Sequence, residues 1–218
     1  MLQKDTNARF ISILADGKFH ETVPAGTDGA TKREYETSDG KKGEKYELVY
    51  TEINKVKIVN VQFWDGDYGE RVQVTFADPD GNEVTLSQSV ASNFGEDLLK
   101  KLPALDFSKE VAMKPYSFID EKTGKAKRGV SVFQTDKVSN FFYDGEKNLH
   151  GFPVPKKQDM SKDEWKLYFL ECRIFLVGFA KENIVPKFEG RDFSEKKEEV
   201  AEYPKAEDEG IDPASIPF

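Results

Sequence analysis

Aromatic and basic side chains alternate in one short segment of the chain, residues 114–128. Lys114, Tyr116 and Phe118 are spaced two apart, so in a β-strand all three lie on one face. A core face would bury Lys114 beside two rings, which is unfavourable, so we expect an exposed face. Rings stack on bases, and lysines attract phosphates. The segment therefore predicts a single-stranded nucleic-acid site, and four further cations follow it: Lys122, Lys125, Lys127 and Arg128.

Three more aromatic residues are candidates for base stacking, each with a purely structural alternative. Phe133 shares a strand face with two small residues, so the pattern allows it to point inward or outward. Trp64 and Tyr68 bracket a tight turn and could form a stacking platform. However, Asp65 and Asp67 would repel phosphates there, which favours packing of the two rings against the hairpin. In the central segment the corresponding alternatives are that either Tyr116 or Phe118 packs under the loop, and that the lysines are merely solvated.

Short alternating segments separated by turn residues position these side chains. Strands are predicted at residues 9–14, 45–50, 56–64, 70–76, 83–86, 108–119, 128–134 and 137–143, with a polar edge ribbon around Tyr35. A short helix is predicted at 88–102. A second helix begins after Ser161, which forms a capping box with Glu164, and carries aromatic residues at helical spacing.

This order of elements predicts a mainly β protein with helices. We expect an oligonucleotide-binding (OB) β-barrel over residues 1–190, including a C-terminal helix, and a disordered acidic tail over residues 191–218. Other small barrels and sandwiches fit the periodicity almost as well. The tail holds eight acidic and three basic residues from Glu195 onward, so much of the net charge of −8 lies there rather than on the folded body.

The composition argues against several classes of protein. With one cysteine, Cys172, and two distant histidines, His20 and His150, the chain offers no disulfide, no Cys/His metal site and no Cys/His catalytic pair. No apolar run is long enough to span a bilayer, and no signal-peptide core is present, so we expect a cytoplasmic protein without cofactors or a membrane partner. We expect a protein that is not an enzyme. The acidic pairs sit in turns, where such residues usually form the turn, so a metal-dependent nuclease is a minor alternative.

The last residues form the sharpest motif. Ile216-Pro217-Phe218, preceded by acids, resembles the tail of bacterial single-stranded DNA-binding (SSB) proteins, in which the tip docks genome-maintenance enzymes. Phe218 combines an apolar ring with a free α-carboxylate, and Pro217 reduces the ordering cost of binding. The resemblance implies a partner-binding tip made of Asp208, Glu209, Asp212, Ile216, Pro217 and Phe218.

Residues from about 69 to 188 resemble single-stranded DNA-binding proteins encoded by tailed phages. The resemblance is carried by four segments: Leu105-Asp106-Phe107-Ser108-Lys109, Pro115-Tyr116-Ser117-Phe118, residues 128–134 (RGVSVFQ) and residues 151–157 (GFPVPKK). It implies an OB-fold protein that binds DNA without sequence preference during replication, recombination or repair. The long helix or the Pro-rich connector could support a homodimer. A structural or carbohydrate-binding β domain of a virion is the other alternative.

Deletion of residues 207–218 is expected to tighten single-stranded DNA binding at low salt, because the acidic tail can compete with DNA for a basic groove. The same deletion should abolish binding of partner enzymes. Affinity for a dT oligomer, titrated by fluorescence with and without the tail, measures the effect. Equal affinities at low salt would remove the competition.

Overall fold

Nine strands and two α-helices make up the described part of the chain. The computed structural model describes residues 9–36, 40–66, 69–157 and 159–189. The strands are β1 Arg9–Ile13, β2 Phe19–Val23, β3 Thr31–Glu36, β4 Lys42–Tyr50, β5 Ile53–Gly66, β6 Gly69–Ala77, β7 Glu83–Ser89, β8 Val111–Ile119 and β9 Ala126–Phe133. The helices are α1 Asn93–Lys101 and α2 Lys162–Asn183, each followed by a 3-10 turn, Leu102–Ala104 and Val185–Phe188.

All nine strands belong to one sheet, in the order β3-β4-β2-β1-β7-β6-β5-β8-β9. Neighbours are antiparallel except β1 and β7, which are parallel. In the described residues the two edge strands, β3 and β9, do not pair with each other, so the sheet is not closed into a barrel. The mainly β class with a C-terminal helix is confirmed, whereas the OB-fold β-barrel predicted from the sequence is not confirmed, because the sheet does not close.

One face of the curved sheet carries the core, because apolar residues alternate along each central strand. In β6, Val72, Val74 and Phe76 are fully buried, while Gln73 and Thr75 point to the other face. Helix α1 closes part of this core with Phe94, Leu98 and Leu99. The alternation was readable from the sequence and was interpreted correctly.

The turn between β1 and β2 packs against the backbone of β8, far away in sequence. A β-carbon built on Gly17 would lie 2.5 Å from the Ser117 nitrogen and 2.7 Å from the Tyr116 carbonyl carbon. Gly17 is also in the left-handed region, with a φ of 71°. The β1–β2 turn therefore contacts β8, although β1 and β8 are not neighbours in the sheet.

Three sequence predictions about elements need correction. Strand β2 was missed because it is mostly polar. Residues 137–143 form no strand, only isolated bridges at Lys137 and Tyr143. Their rings enter an aromatic cluster instead, with Phe142 buried 5.0 Å from Phe179 between ring centroids. Helix α1 starts at Asn93 rather than Gln88, because Gln88 remains in β7 and Ser92 caps the helix.

Helix α2 matches its prediction closely. The Ser161 hydroxyl accepts from the Glu164 amide, and the Glu164 carboxylate accepts from the Ser161 amide, which forms the predicted capping box. Trp165, Cys172 and Leu176 are buried on one side of the helix. Among the described residues, no helix is long and apolar enough to cross a membrane.

Replacement of Gly17 by alanine should lower the free energy of unfolding by about 3 kcal/mol, through left-handed strain plus a backbone clash. Gly26→Ala is the matched control, since Gly26 has a φ of 86° but no atom within 4 Å of the added carbon. It should cost only about 1 kcal/mol. Urea denaturation measures both; equal losses would show that the contact with β8 contributes nothing.

Candidate nucleic-acid interface

The β8–β9 hairpin brings half of the ten residues predicted to bind nucleic acid onto one face. In the register, Tyr116 lies opposite Gly129, Lys114 opposite Ser131 and Phe118 opposite Lys127. Phe133, opposite Ala112, joins the same face at the other end. The other face of β8 carries buried Val111, Met113 and Pro115. We call the outward group the aromatic–basic face: Lys114, Tyr116, Phe118, Lys127 and Phe133.

Exposure differs among the rings of the aromatic–basic face. Phe118 is 52% exposed and Phe133 is 37% exposed, so both predicted stacking rings are accessible to a ligand. Lys114 is exposed, as expected from the cost of burying it. Tyr116 is only half-buried, 5.9 Å from Phe118 between ring centroids. Exposed rings on a rigid strand can stack on bases with little ordering cost.

Helix α1 holds this hairpin in place through the backbone of one residue. The Val130 amide donates to Asp97 Oδ2 at 2.7 Å, and Lys101 Nζ donates to the Val130 carbonyl at 2.6 Å. Lys101 Nζ also contacts Asp97 Oδ2 at 2.7 Å, and the lysine is buried. This triad, which we call the α1 clamp, satisfies an edge-strand donor and acceptor that would otherwise be open to another chain.

Tyr116 is packed toward the same clamp. A β-carbon on Gly129 would lie 2.5 Å from both the Tyr116 hydroxyl and Asp97 Oδ2, so only glycine leaves room for the ring. Burial, followed by the negative charge of Asp97, raises the pKa of Tyr116. The Tyr116 ring is therefore partly exposed and partly packed against Gly129 and Asp97. This lies between the exposed ring and the ring packed under a loop that the sequence allowed.

A tight turn over residues 120–125 carries the predicted loop lysines. Asp120 Oδ1 accepts from the amides of Lys122 and Thr123 at 2.9 and 3.1 Å. The carboxylate also forms an ion pair with Lys127. The Lys127 hydrogen bond and the amide donors lower the pKa of Asp120 to about 2, so the pair persists at neutral pH. Lys122 is exposed and Lys125 half-buried. Lys127 is therefore a partly neutralised cation.

Two of the predicted aromatic and basic residues that the structure describes, Arg128 and Trp64, lie away from the aromatic–basic face. Arg128 lies opposite Ser117, on the other side of β9 from Lys127. Trp64 is near the far end of β5, whereas β8 pairs with the start of that strand; its ring lies over Gly66. Tyr68 lies outside the described residues. Trp64 is also 38% exposed, so its ring contacts the hairpin and remains accessible to a ligand.

The six predicted tip residues also lie outside the described residues: Asp208, Glu209, Asp212, Ile216, Pro217 and Phe218.

The sequence interpretation overlooked a polar group beside Trp64 that also points away from the core. Gln62 donates to Gln73 at 2.7 Å, and the Arg71 guanidinium donates to the Ser87 hydroxyl at 2.9 Å and carbonyl at 2.7 Å. Arg71 lies directly opposite Trp64. The sequence did carry a signal for this group. Once β5 and β6 are paired as a hairpin, Arg71 falls opposite Trp64, a cation opposite an aromatic ring.

Comparisons with protein-family models, curated proteins and solved structures gave no match to this chain. In the described part of the chain, no three His, Cys, Asp or Glu side chains form a group that could hold a metal ion.

Substitution of Asp120 by asparagine should release Lys127 while preserving the turn, because the amide oxygen can still accept from the backbone. Affinity for a single-stranded DNA oligomer should rise about twofold to fivefold at low salt, and the log–log salt slope should steepen by about one.

Asp144→Asn is the matched control, because Asp144 accepts from two turn amides in the same way. Fluorescence titration at several salt concentrations gives both quantities. A slope that is the same in both variants and in the wild type would show that Lys127 does not contact phosphate.

Proposed function

We propose that this protein binds single-stranded DNA without sequence preference and protects it during phage replication, recombination or repair, in the host cytoplasm. The observation that carries the proposal is the aromatic–basic face. It places exposed Phe118 and Phe133 on a single hairpin with Lys114 and Lys127, and the turn lysines lie at its end. Rings and cations alternating along one surface are what a sequence-tolerant single-strand binder needs.

Binding by this face is stoichiometric rather than catalytic. Bases stack on Phe118 and Phe133, each contributing about 1–3 kcal/mol, because every base has a π-face. Lys114 and Lys122 displace counterions from the phosphates, which makes affinity fall with salt. Duplex DNA keeps its bases stacked inside the helix, so the rings have no partner there. The bound strand cannot anneal while the hairpin holds its bases.

The proposal also includes an OB-type architecture and a partner-binding C-terminal tip. An OB-type architecture is supported by the packing of the β1–β2 turn on β8 and by helix α1 immediately before the binding hairpin. The tip, Ile216-Pro217-Phe218, recruits replication and recombination enzymes, a role that the SSB-like motif suggests. The protein then needs no cofactor, since binding and recruitment involve no bond-breaking step.

Truncation of the most exposed ring tests the face directly. Phe118→Ala should weaken binding to a dT oligomer by roughly 5- to 100-fold, the loss of one stacked base. Because Phe118 is half exposed, the fold should be unaffected. Adding Phe133→Ala should weaken binding further.

Ile119→Ala is the matched control, because Ile119 is the next residue, exposed and apolar, but points to the opposite face. Its affinity should equal that of the wild type. Equal affinity of Phe118→Ala and Ile119→Ala, with folding verified by circular dichroism, would contradict the proposed face.

A further inference from the structure

Helix α2 carries an apolar stripe on the side away from the core. Leu167, Leu170 and Ile174 are 60%, 46% and 63% exposed. Single exposed apolar residues are ordinary on a protein surface. Three within two turns of one helix face are not, because they form a continuous patch that water covers unfavourably.

The stripe has the spacing of a two-stranded helix seam. Asp163, Leu167, Leu170, Ile174, Val177 and Lys181 follow each other at intervals of four and three residues, the a/d pattern of a coiled coil. We call these six residues the α2 seam. Trp165, Cys172 and Leu176, which pack on the body of the protein, lie on the other side of the helix. Of the six seam residues, Val177 is buried and packs with the core, so the apolar residues that the seam leaves exposed are Leu167, Leu170 and Ile174.

The order of residues along the seam is self-complementary. When a second copy is laid antiparallel, with the two-fold axis beside residue 172, Leu170 meets Ile174, and Leu167 lies over the buried Val177. Asp163 then meets Lys181, so both ends of the seam pair opposite charges. In a parallel arrangement each residue meets its own equivalent, and both ends repel. Exposed flanking pairs that would favour the parallel arrangement, such as Lys166 with Glu171, contribute little.

A groove beside the seam can receive apolar side chains of a second helix. Its walls are α2, the start of β6 at Gly69, and the loop with Val90 and Ala91, and Val177 also lines it. Lys181, at one end, reaches Glu70 across the groove at 2.5 Å and is half exposed, so its ammonium can also receive a carboxylate from outside. Contacts with these walls supplement a seam of about five turns, which is short for a free-standing coiled coil.

We propose that α2 is an isologous dimer interface, in which two copies of this chain pair their α2 seams in antiparallel orientation. The interface uses no residue of the aromatic–basic face, so the dimer presents two DNA-binding hairpins. This inference goes beyond the proposed function and does not depend on it, because α2 pairing can be measured without DNA.

Sedimentation of the full chain tests the interface. The wild type should change from the 24.8 kDa monomer to twice that mass as concentration rises through the micromolar range. Ile174→Glu should raise the dissociation constant at least 100-fold, because it buries a carboxylate in the seam, yet leave the monomer folded. Val154→Glu, at an apolar residue 68% exposed outside α2, is the control and should dimerise normally.

Other results would overturn the proposal. A wild type that stays monomeric at all concentrations, or an Ile174→Glu variant that dimerises like the control, excludes the α2 seam as the interface. Loss of dimer on deletion of residues 207–218, with Ile174→Glu unaffected, assigns dimerisation to the tail. Asp163→Lys should weaken the dimer severalfold at low salt; an unchanged constant would contradict the antiparallel orientation.

Discussion

The position of the proposed binding surface depends on the α1 clamp. Strand β8 pairs with β5 only near Ile53 and Val56, so the β8–β9 hairpin extends beyond its hydrogen-bonded neighbour. The clamp fixes the far strand of this hairpin by bonding both backbone groups of Val130 to Asp97 and Lys101. Because Lys101 is buried, losing its carboxylate partner would leave an unpaired buried charge. We therefore expect that removing either Asp97 or Lys101 disrupts the whole clamp.

The clamp also decides which side chains reach solvent. It draws Tyr116 over Gly129 and leaves Phe118 and Phe133 projecting. The other half of the sheet, at β1, β2 and β4, is held differently: Arg9 donates twice to buried Glu21, and the Tyr50 hydroxyl donates to the same carboxylate. Burial opposes the charge of Glu21, but these donors lower its pKa, so the carboxylate remains ionised. Paired charges therefore organise both halves of the sheet, and apolar packing organises its middle.

Sequence reasoning succeeded where a rule is local. Alternation placed Lys114 and Phe118 outside, and the Ser161 capping box fixed the start of α2. It failed where partners are distant. Strand β2 was missed because it contains the charged Glu21, whose partner Arg9 lies in another strand. The alternating pattern at residues 137–143 predicted a strand, but the rings of Phe141 and Phe142 pack on α2. The ion pair between Asp120 and Lys127 could not be predicted from the sequence either. Strand alternation alone, however, already places Lys127 and Arg128 on opposite faces of β9.

In the proposed function, the β8–β9 hairpin gives the protein a preference for single-stranded over duplex DNA. Fluorescence titration with a dT oligomer and with matched duplex, each at two salt concentrations, tests it most directly. We expect tight binding of the single strand that weakens as salt rises, and little binding of the duplex. No binding of the single strand, even after removal of residues 207–218, would contradict the account.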